Sequence, residues 1–362
     1  MEMNRPLKLF PTRTWRTYTG GKLLDELHGI YDTSDGHFPE EWIMSVVSAR
    51  NTGREQYRHE GLSFLDSSDI TLKELIETNG TELLGKRHVI KNGMQTGVLV
   101  KLIDSAERLT IQVHPDKEMS GRLFQSAFGK TECWHILGGR EINGENPCIY
   151  MGFKPGITCE EWKRIFQKQD IPRMLDCLHR FEVKEGDTFL IHGGIPHAIG
   201  AGCLLVEIQE PTDYSIRTER VTPAGYQVSD FMCHQGLGFE QMFECFHYTG
   251  YDKEETYKKW HIDLRMTCKS SGFKEYELVG YRETPCFRMV KLEIRRNYEL
   301  HTDGTFSGLY MLSGNGTFSA NNVKYNAEQG DQFFIPAAVD RCMIENCGDR
   351  PINAIRCFGP SC

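Results

Sequence analysis

The sequence predicts a mainly β protein in which two barrel or jelly-roll domains are joined by a connecting segment. Three observations favour this fold class. Short apolar runs, such as Val98–Ile103 and Leu204–Ile208, recur between glycines and prolines, as in the strands of a barrel or sandwich. The length of 362 residues corresponds to about two domains. The pattern Gly186–Ile191 recurs at Gly330–Ile335, which indicates a repeated β unit.

A small helical insertion is expected inside the first β domain. Thr158–Glu161 reads as a capping box, and Trp162, Ile165 and Phe166 follow it at helical spacing. A second short helix is expected from Asp170 to about position 179. The expected organisation is a catalytic domain over residues 1–222 with its insertion near 158–180, a connector over 223–283, and a second β domain over 284–362.

The composition limits the classes of partner and compartment. A net charge of −8 argues against a nucleic-acid or anionic-membrane partner, because both require basic surfaces. Apolar stretches stay well short of the ~20 residues of a membrane span, and the N-terminus does not resemble a signal peptide. The thirteen cysteines include no C-x-x-C pair and indicate reduced thiols. We therefore expect a soluble cytoplasmic protein, and homo-oligomerisation is left open.

Four potential metal ligands follow one another along the first domain. Gln112 and His114 are two residues apart in a β-prone run, so their side chains point to the same face. Glu132 follows later, and His197 comes after the strand Gly186–Ile191. Two imidazoles, a carboxylate and an amide oxygen form a mixed nitrogen and oxygen site that suits zinc, iron, manganese, cobalt or nickel. The sequence therefore predicts one divalent metal ion, with zinc favoured.

The order of these residues resembles the two sequence motifs of the cupin superfamily. In the first motif, the paired ligands and the glutamate precede a glycine, which is Gly138 here. In the second, a glycine, here Gly186, is followed by a glycine-containing turn and then His197. Gln112 stands where many cupins have histidine, and His192 stands where proline is usual. The resemblance implies that the two β domains are cupin domains.

A more specific resemblance covers most of residues 1–220. The runs VLVKLID and LTIQVHPD within Val98–Asp116, GKTECWHIL at Gly129–Leu137 and EIQEPTDYSIR at Glu207–Arg217 resemble class I mannose-6-phosphate isomerases. This family interconverts mannose 6-phosphate and fructose 6-phosphate with a zinc ion. The resemblance implies the same activity here, with the metal ligands Gln112, His114, Glu132 and His197.

The same resemblance implies the residues that act on a sugar phosphate. The implied catalytic residues are Arg217, Lys130, Asp213, Lys101 and Glu207, and the implied substrate-binding residues are Lys101, Thr110, Lys130 and Arg217. The residue chemistry agrees, because fixed positive charge stabilises a developing enediolate and helps to bind phosphate. A lysine inside an apolar run, as Lys101 is, seldom lies there without a partner. The general base is left open between Asp213, Glu207 and a metal-bound water.

The second β domain lacks the metal ligands of the first. Arg341 follows Pro336 at the spacing at which His197 follows His192. Counting back from Gly314 as from Gly138 places Gly308 at the position of Glu132. We therefore expect residues 284–362 to form a metal-free domain.

The leading hypothesis is a metal-dependent aldose–ketose isomerase that moves a proton through an enediolate. One alternative is another metal-dependent cupin enzyme, such as an oxygenase, which would have little use for the basic residues. The other alternative is a protein that binds a sugar phosphate without turnover.

Overall fold

A computed structural model describes residues 3–362. Over these residues the strands, in chain order, are β1 Leu7–Phe10, β2 Thr12–Thr14, β3 Glu40–Ile43, β4 Phe64–Leu65, β5 Leu99–Asp104, β6 Gln112–Val113, β7 Glu132–Gly139, β8 Cys148–Phe153, β9 Leu178–Glu182, β10 Thr188–Ile191, β11 His197–Ile199, β12 Cys203–Gln209, β13 Ile216–Arg217, β14 Arg265–Lys269, β15 Phe273–Val279, β16 Arg288–Ile294, β17 Asn297–His301, β18 Ser307–Ser313, β19 Asn315–Ala320, β20 Val323–Glu328, β21 Gln332–Ile335, β22 Arg341–Asn346 and β23 Ile352–Phe358. The helices are α1 Lys22–Leu27, α2 Leu72–Leu84, α3 Lys86–Asn92, α4 Lys117–Phe124, α5 Cys159–Lys168, α6 Ile171–Asp176, α7 Asp230–His234, α8 Gly238–Gln241 and α9 Lys253–Trp260, with a 3-10 turn at Met242–Cys245. Among them, none has both the length and the apolar character needed to cross a membrane.

The described strands form four antiparallel sheets, two in each half of the chain. The first half has a six-stranded sheet of order β10-β7-β12-β5-β3-β2 and a five-stranded sheet of order β13-β6-β11-β8-β9. The second half has a four-stranded sheet of order β17-β22-β19-β20 and most of an eight-stranded sheet of order β14-β15-β16-β23-β18-β21-β1-β4, in which β1 and β4 come from the first half. The expectation of a mainly β fold is confirmed.

Each half encloses an apolar core between its two sheets. In the first half, Trp134 and Phe189 of the six-stranded sheet share a buried cluster with Ile149 and Met151 of the five-stranded sheet. In the second half, strands of the eight- and four-stranded sheets meet in a separate cluster that includes Phe333 and Phe318. Two sheets packed face to face in this way form a closed barrel-like unit.

A third core lies between the halves, and it explains the burial of β5. Successive residues of a strand point to opposite faces. Val100 and Leu102 pack in a cluster with Met289 and Phe334 of the eight-stranded sheet. Lys101 therefore projects to the other face, into the interior of the first barrel. The six- and eight-stranded sheets thus stack back to back.

Helices cover the outer face of the five-stranded sheet. Trp162, Ile165 and Phe166 of α5 pack with Val113 and Phe153 of that sheet. The Thr158 hydroxyl caps α5 by accepting a hydrogen bond from the Glu161 N–H, and Asp170 caps α6 in the same manner. These two helices occupy the stretch in which the insertion is expected.

The sheet pairing departs from the expected domain limits at both ends. Strand β1 lies within residues 1–222, but it pairs with β21 of the second half. Strands β14 and β15 lie within the expected connector, but they extend the eight-stranded sheet beyond β16. Every residue of β14 is exposed, so the short alternation of Met266 and Cys268 with polar residues does not correspond to a buried face.

The six-stranded sheet and the eight-stranded sheet repeat one strand order, with β10-β7-β12 in the first corresponding to β21-β18-β23 in the second. Residues of the two sheets can therefore be matched by their strand register. Ile191, the last residue of β10, pairs with Glu132, and Ile335, the last residue of β21, pairs with Ser307. Ser307 therefore corresponds to Glu132, and the expectation that Gly308 does so is wrong by one residue. The cause is the pair Gly138-Gly139 in the first half. Gly314 corresponds to Gly139 and not to Gly138.

Candidate active site

Three of the four predicted metal ligands converge inside the first barrel. His114, Glu132 and His197 are all buried, and their ligand atoms lie within 4.8 Å of one another. The Nε2 atom of His114 is 3.2 Å from Oε2 of Glu132. The Nε2 atom of His197 is 3.3 Å from Oε1 of the same carboxylate. One carboxylate thus faces two imidazoles.

Gln112, the fourth predicted ligand, lies beside this cluster. In the pairing of β6 with β11, Gln112 stands directly opposite His197. Residues directly opposite each other in an antiparallel pair project from the same face of the sheet. Gln112 also stands opposite Arg217 in the pairing of β6 with β13. The register therefore brings an amide, an imidazole and a guanidinium to one face.

The donor atoms of the cluster fit a divalent cation. Nδ1 of His114 is 2.8 Å from the Tyr214 carbonyl oxygen, and Nδ1 of His197 is 2.8 Å from that of Ile195. A carbonyl at Nδ1 selects the tautomer in which Nε2 carries no proton and can coordinate a metal ion. Both Glu132 oxygens and Nε2 of His197 are buried without a hydrogen-bond partner among the described residues. Burial lowers the pKa of His114 to about 3, so its imidazole is in the neutral, coordinating form.

An open cleft adjoins the cluster, and the predicted substrate residues line it. The space in the cleft, including its open mouth, is about 590 Å³. The charged residues that line it are Arg16, Lys101, Lys130, Arg217, Glu40, Glu207 and Asp213, and Thr110 and Gln112 lie among its polar residues. Every residue predicted to bind the sugar phosphate is therefore present in this cleft.

Lys101 is held by the side chains of Glu207 and Gln209. Its Nζ atom donates hydrogen bonds to Oε1 of Glu207 at 2.9 Å and to Oε1 of Gln209 at 2.8 Å. Burial would lower the pKa of Lys101, but the carboxylates of Glu207 and Glu40 outweigh it and raise this pKa above its ordinary value. Lys101 is therefore a fixed cation, and the expectation that it has a partner is confirmed.

Lys130 connects the cleft to the metal cluster. Its Nζ atom is 2.8 Å from Nε2 of His114 and 3.3 Å from Oε2 of Glu132. Burial lowers the pKa of Lys130 from its ordinary value, although Glu132 opposes the change. The ammonium group thus stands where a substrate in the cleft would approach the cluster.

Asp213 and Arg217 close the other side of the cleft. Oδ2 of Asp213 is 3.5 Å from Nη1 of Arg16. Burial alone would raise the pKa of Asp213, but the charge of Arg16 and those of the cleft lysines hold it well below its usual range. Nη1 of Arg217 donates to the carbonyl oxygens of Ser215 and Met232, each at 3.1 Å. These two bonds leave the remaining guanidinium nitrogens of Arg217 available to a ligand.

Known proteins resemble the chain along its whole length. The probable mannose-6-phosphate isomerase GmuF of Bacillus subtilis is 26% identical over 351 residues, which cover 95% of this chain and 97% of that protein. A mannose-6-phosphate isomerase of Streptococcus mutans is 24% identical over 67% of this chain and 69% of that protein. No protein-family model matches the chain.

The chain is a homologue of mannose-6-phosphate isomerases.

Solved structures extend the likeness to the fold. The crystal structure of the mannose 6-phosphate isomerase from Bacillus subtilis superposes with a TM-score of 0.74 at 23% identity, covering 98% of this chain and 99% of that one. The apo form of the enzyme from Salmonella typhimurium gives a TM-score of 0.73 at 15% identity, covering 99% and 100%. At such identities the superpositions show the fold, and they extend over both halves of the chain.

Sequence reasoning missed Arg16 and Glu40, which complete the charged cleft of this mannose-6-phosphate isomerase homologue. Arg16 is 6% exposed, and its Nε atom donates to Oε2 of Glu40 at 2.8 Å. Its Nη2 atom is buried without a hydrogen-bond partner among the described residues. Both residues precede the recognised motifs, and a signal was present only for Glu40, a carboxylate two residues before Trp42, where an apolar stretch begins.

Proposed function

We propose that this chain interconverts mannose 6-phosphate and fructose 6-phosphate as a metal-dependent aldose–ketose isomerase. One observation carries the proposal: the buried cluster of His114, Glu132 and His197 lies beside a cleft that contains Lys101, Lys130 and Arg217, and Lys130 contacts both. A phosphosugar carries a phosphate dianion at one end and develops further negative charge at its reacting carbons. Fixed cations beside a metal site suit both charges. The names of the relatives support the same reaction.

We propose that the chain holds one zinc ion, with Gln112 as the fourth protein ligand. The unpartnered oxygens of Glu132 and the carbonyl contacts at both Nδ1 atoms support a cation at this place. When bound, the ion would polarise a sugar oxygen and so stabilise negative charge on it. Metal analysis of the purified protein by mass spectrometry tests both the stoichiometry and the element.

The cleft residues are proposed to bind, orient and exchange a proton with the sugar. Lys130 stands between cleft and cluster, where its ammonium group can hydrogen-bond to the oxygens at the reacting carbons. Arg217 and Thr110 are proposed to hold the anionic end or the developing enediolate. The base is proposed to be Glu207 or Asp213. Glu207 is already fixed by Lys101 and Trp134, whereas Asp213 is bonded to the Arg50 N–H and to Arg16.

A kinetic comparison of Glu207→Gln with Asp213→Asn separates the two candidate bases. Loss of the base should abolish exchange of the substrate C2 proton with solvent deuterium, measured by proton NMR. Loss of a carboxylate that only positions a cation should slow turnover but leave exchange detectable. Solvent exchange that survives in both variants would exclude both carboxylates as the base.

The overall proposal is tested by a coupled assay that detects fructose 6-phosphate formed from mannose 6-phosphate by the metal-loaded protein. Turnover that is lost in His114→Ala supports the isomerase. Tight binding of mannose 6-phosphate without turnover would instead favour the non-catalytic alternative. Iron in the purified protein together with oxygen consumption would favour the oxygenase alternative, which the basic cleft does not suit.

We further propose that the protein works in the cytoplasm. All thirteen cysteines lie within the described residues, and each is free. Free thiols in this number are typical of a reducing compartment. Fractionation of the native host's cells with an antibody to the protein tests this location.

A further inference from the structure

The second half of the chain contains a basic cavity of its own. The cavity, including its mouth, has about 760 Å³ of space and lies between α3 and strands β16, β17 and β23. Its charged or titratable lining includes Arg87, Arg288, Arg356 and His301. Asp303 is the single acidic residue among the described residues that line it. An acidic protein thus presents a concentration of positive charge far along the chain from its metal cluster.

Arg356 is the buried cation at the base of this cavity. It is 5% exposed, its Nε atom donates to the Ser307 hydroxyl at 2.9 Å, and Nη2 donates to the His301 carbonyl oxygen at 2.8 Å. Both acceptors are neutral, and among the described residues Arg356 forms no ion pair within 4.0 Å, whereas Arg288 beside it pairs with Glu277 at 3.1 Å. Buried arginines are normally paired with an anion. The buried positive charge of Arg356 is therefore open to an anionic ligand.

The register places this cavity at the position that the active-site cleft occupies in the first half. Arg356 pairs with Leu309, two residues after Ser307, just as Glu207 pairs with Trp134, two residues after Glu132. Arg356 thus stands at the repeat position of the cleft carboxylate Glu207. Where the first barrel holds acids that suit a cation, the second holds an arginine and a serine, which suit an anion.

We propose that this cavity binds a small phosphate-type anion, either free phosphate or the phosphate group of a metabolite. A guanidinium matches a phosphate with parallel N–H donors, and such charge-assisted bonds are the strong ones. Arg87 lies exposed at the mouth, where its Nη2 atom donates to the Asp303 carbonyl oxygen at 2.9 Å. It adds a second cation to that of Arg356. The guanidinium groups of Arg288 and Arg356 both contact the ring of Phe358, with their carbon atoms 4.9 Å and 4.5 Å from its centre.

Isothermal titration of the metal-loaded protein with inorganic phosphate, at constant ionic strength, tests the proposal. Two phosphate sites per chain are expected, one in the catalytic cleft and one in this cavity. Arg356→Met should weaken the second site roughly 10- to 100-fold, the effect of losing a charge-assisted bond. It should leave the kcat and KM of the isomerase unchanged. A parallel titration with fructose 6-phosphate shows whether the cavity also accepts a phosphorylated metabolite.

A second variant keeps the test valid if Arg356→Met does not fold. Arg87→Gln alters an exposed residue and should also weaken the second site, whereas Arg350→Gln, an exposed arginine elsewhere, should not. A single phosphate site that disappears in Arg217→Ala would overturn the proposal, as would unchanged titrations in both Arg356→Met and Arg87→Gln. Absence of isomerase activity would not affect these outcomes, because the cavity is separate from the catalytic cleft.

Discussion

Lys101 and Glu207 stand directly opposite each other on neighbouring strands, and their charged groups meet at 2.9 Å inside the first barrel. Both side chains are almost fully buried. Removing one partner of a buried pair leaves the other charge uncompensated, at a cost of about 3–5 kcal/mol. We expect Lys101→Met to lower the free energy of unfolding by that amount, as measured by urea denaturation.

The double variant and a surface pair provide the controls. Lys101→Met combined with Glu207→Leu should cost less than the sum of the single changes, because neither charge is then left alone. Lys154→Met removes one side of the exposed Lys154–Asp176 pair and should cost no more than about 1 kcal/mol. If the loss of unfolding free energy in the double variant equals the sum of the losses in the two single variants, the two charges do not stabilise each other.

The metal content of ligand variants tests the cluster independently of enzyme activity. His114→Ala and His197→Ala should each reduce bound metal from one ion per chain to nearly none, because each removes one of three converging ligands. Mass spectrometry of the purified proteins measures the metal content. His192→Ala is the matched control, because His192 is exposed and outside the cluster. Full metal content in both ligand variants would refute the site.

The pairing of Glu40 with Arg16 predicts that the free energy of unfolding decreases as the pH becomes acidic. Burial would raise the pKa of Glu40, but Arg16 and Lys101 lower it to about 2. A carboxyl group whose pKa is lower in the folded state than in the unfolded state stabilises the fold above its unfolded pKa of ~4.5, and this contribution is lost as the pH falls towards 2. The contribution is about 3 kcal/mol at neutral pH.

Stability curves of Glu40→Gln test this linkage. The wild type should be more stable than the variant at pH 7, and the difference should shrink progressively below pH ~4.5. Denaturant titrations between pH 7 and pH 3 measure the difference. Glu77→Gln, at an exposed helix position, should show no comparable trend. A difference that stays constant with pH would show that Glu40 acts through packing alone.

The sequence predicted those parts of the structure that short motifs encode. His114, Glu132 and His197 were found because ligand residues and glycines recur at fixed spacings, and the structure brings all three together. Arg16 was not found, because it reaches the cleft through long-range pairing of β2 with β3 and lies outside any motif. Long-range pairing also explains β1, whose partner strand is more than 300 residues away in the chain.

Arg356 illustrates a second limit of prediction from the sequence. Its spacing from the repeat motif does not reveal that it occupies the position of Glu207, because that match depends on the strand register. An isolated arginine in an apolar strand is otherwise read as a paired or edge residue. Only the three-dimensional pairing shows that the second barrel replaces an acid with a cation.

Arg217 provides the sharpest test of the catalytic proposal. It lines the cleft opposite Gln112, and two carbonyl oxygens orient its guanidinium group. If Arg217 stabilises the enediolate, its contact strengthens as the reaction proceeds, so its loss should lower kcat more than it raises KM. We expect Arg217→Ala to reduce kcat by about 10²–10³-fold, by analogy with the loss of one oxyanion donor.

Two further variants separate the roles open to Arg217. Arg217→Lys keeps the charge but not the planar fork, so it should restore only part of the lost kcat. Arg341→Ala changes an exposed arginine of the second barrel and should leave turnover unchanged. Steady-state kinetics with mannose 6-phosphate measure kcat and KM of Arg217→Ala, Arg217→Lys and Arg341→Ala. If Arg217 only holds the phosphate, its loss should appear mainly as a higher KM. The turnover of a substrate analogue without phosphate should then be the same in the wild type and in Arg217→Ala. An unaltered kcat and KM in Arg217→Ala would remove this residue from the mechanism.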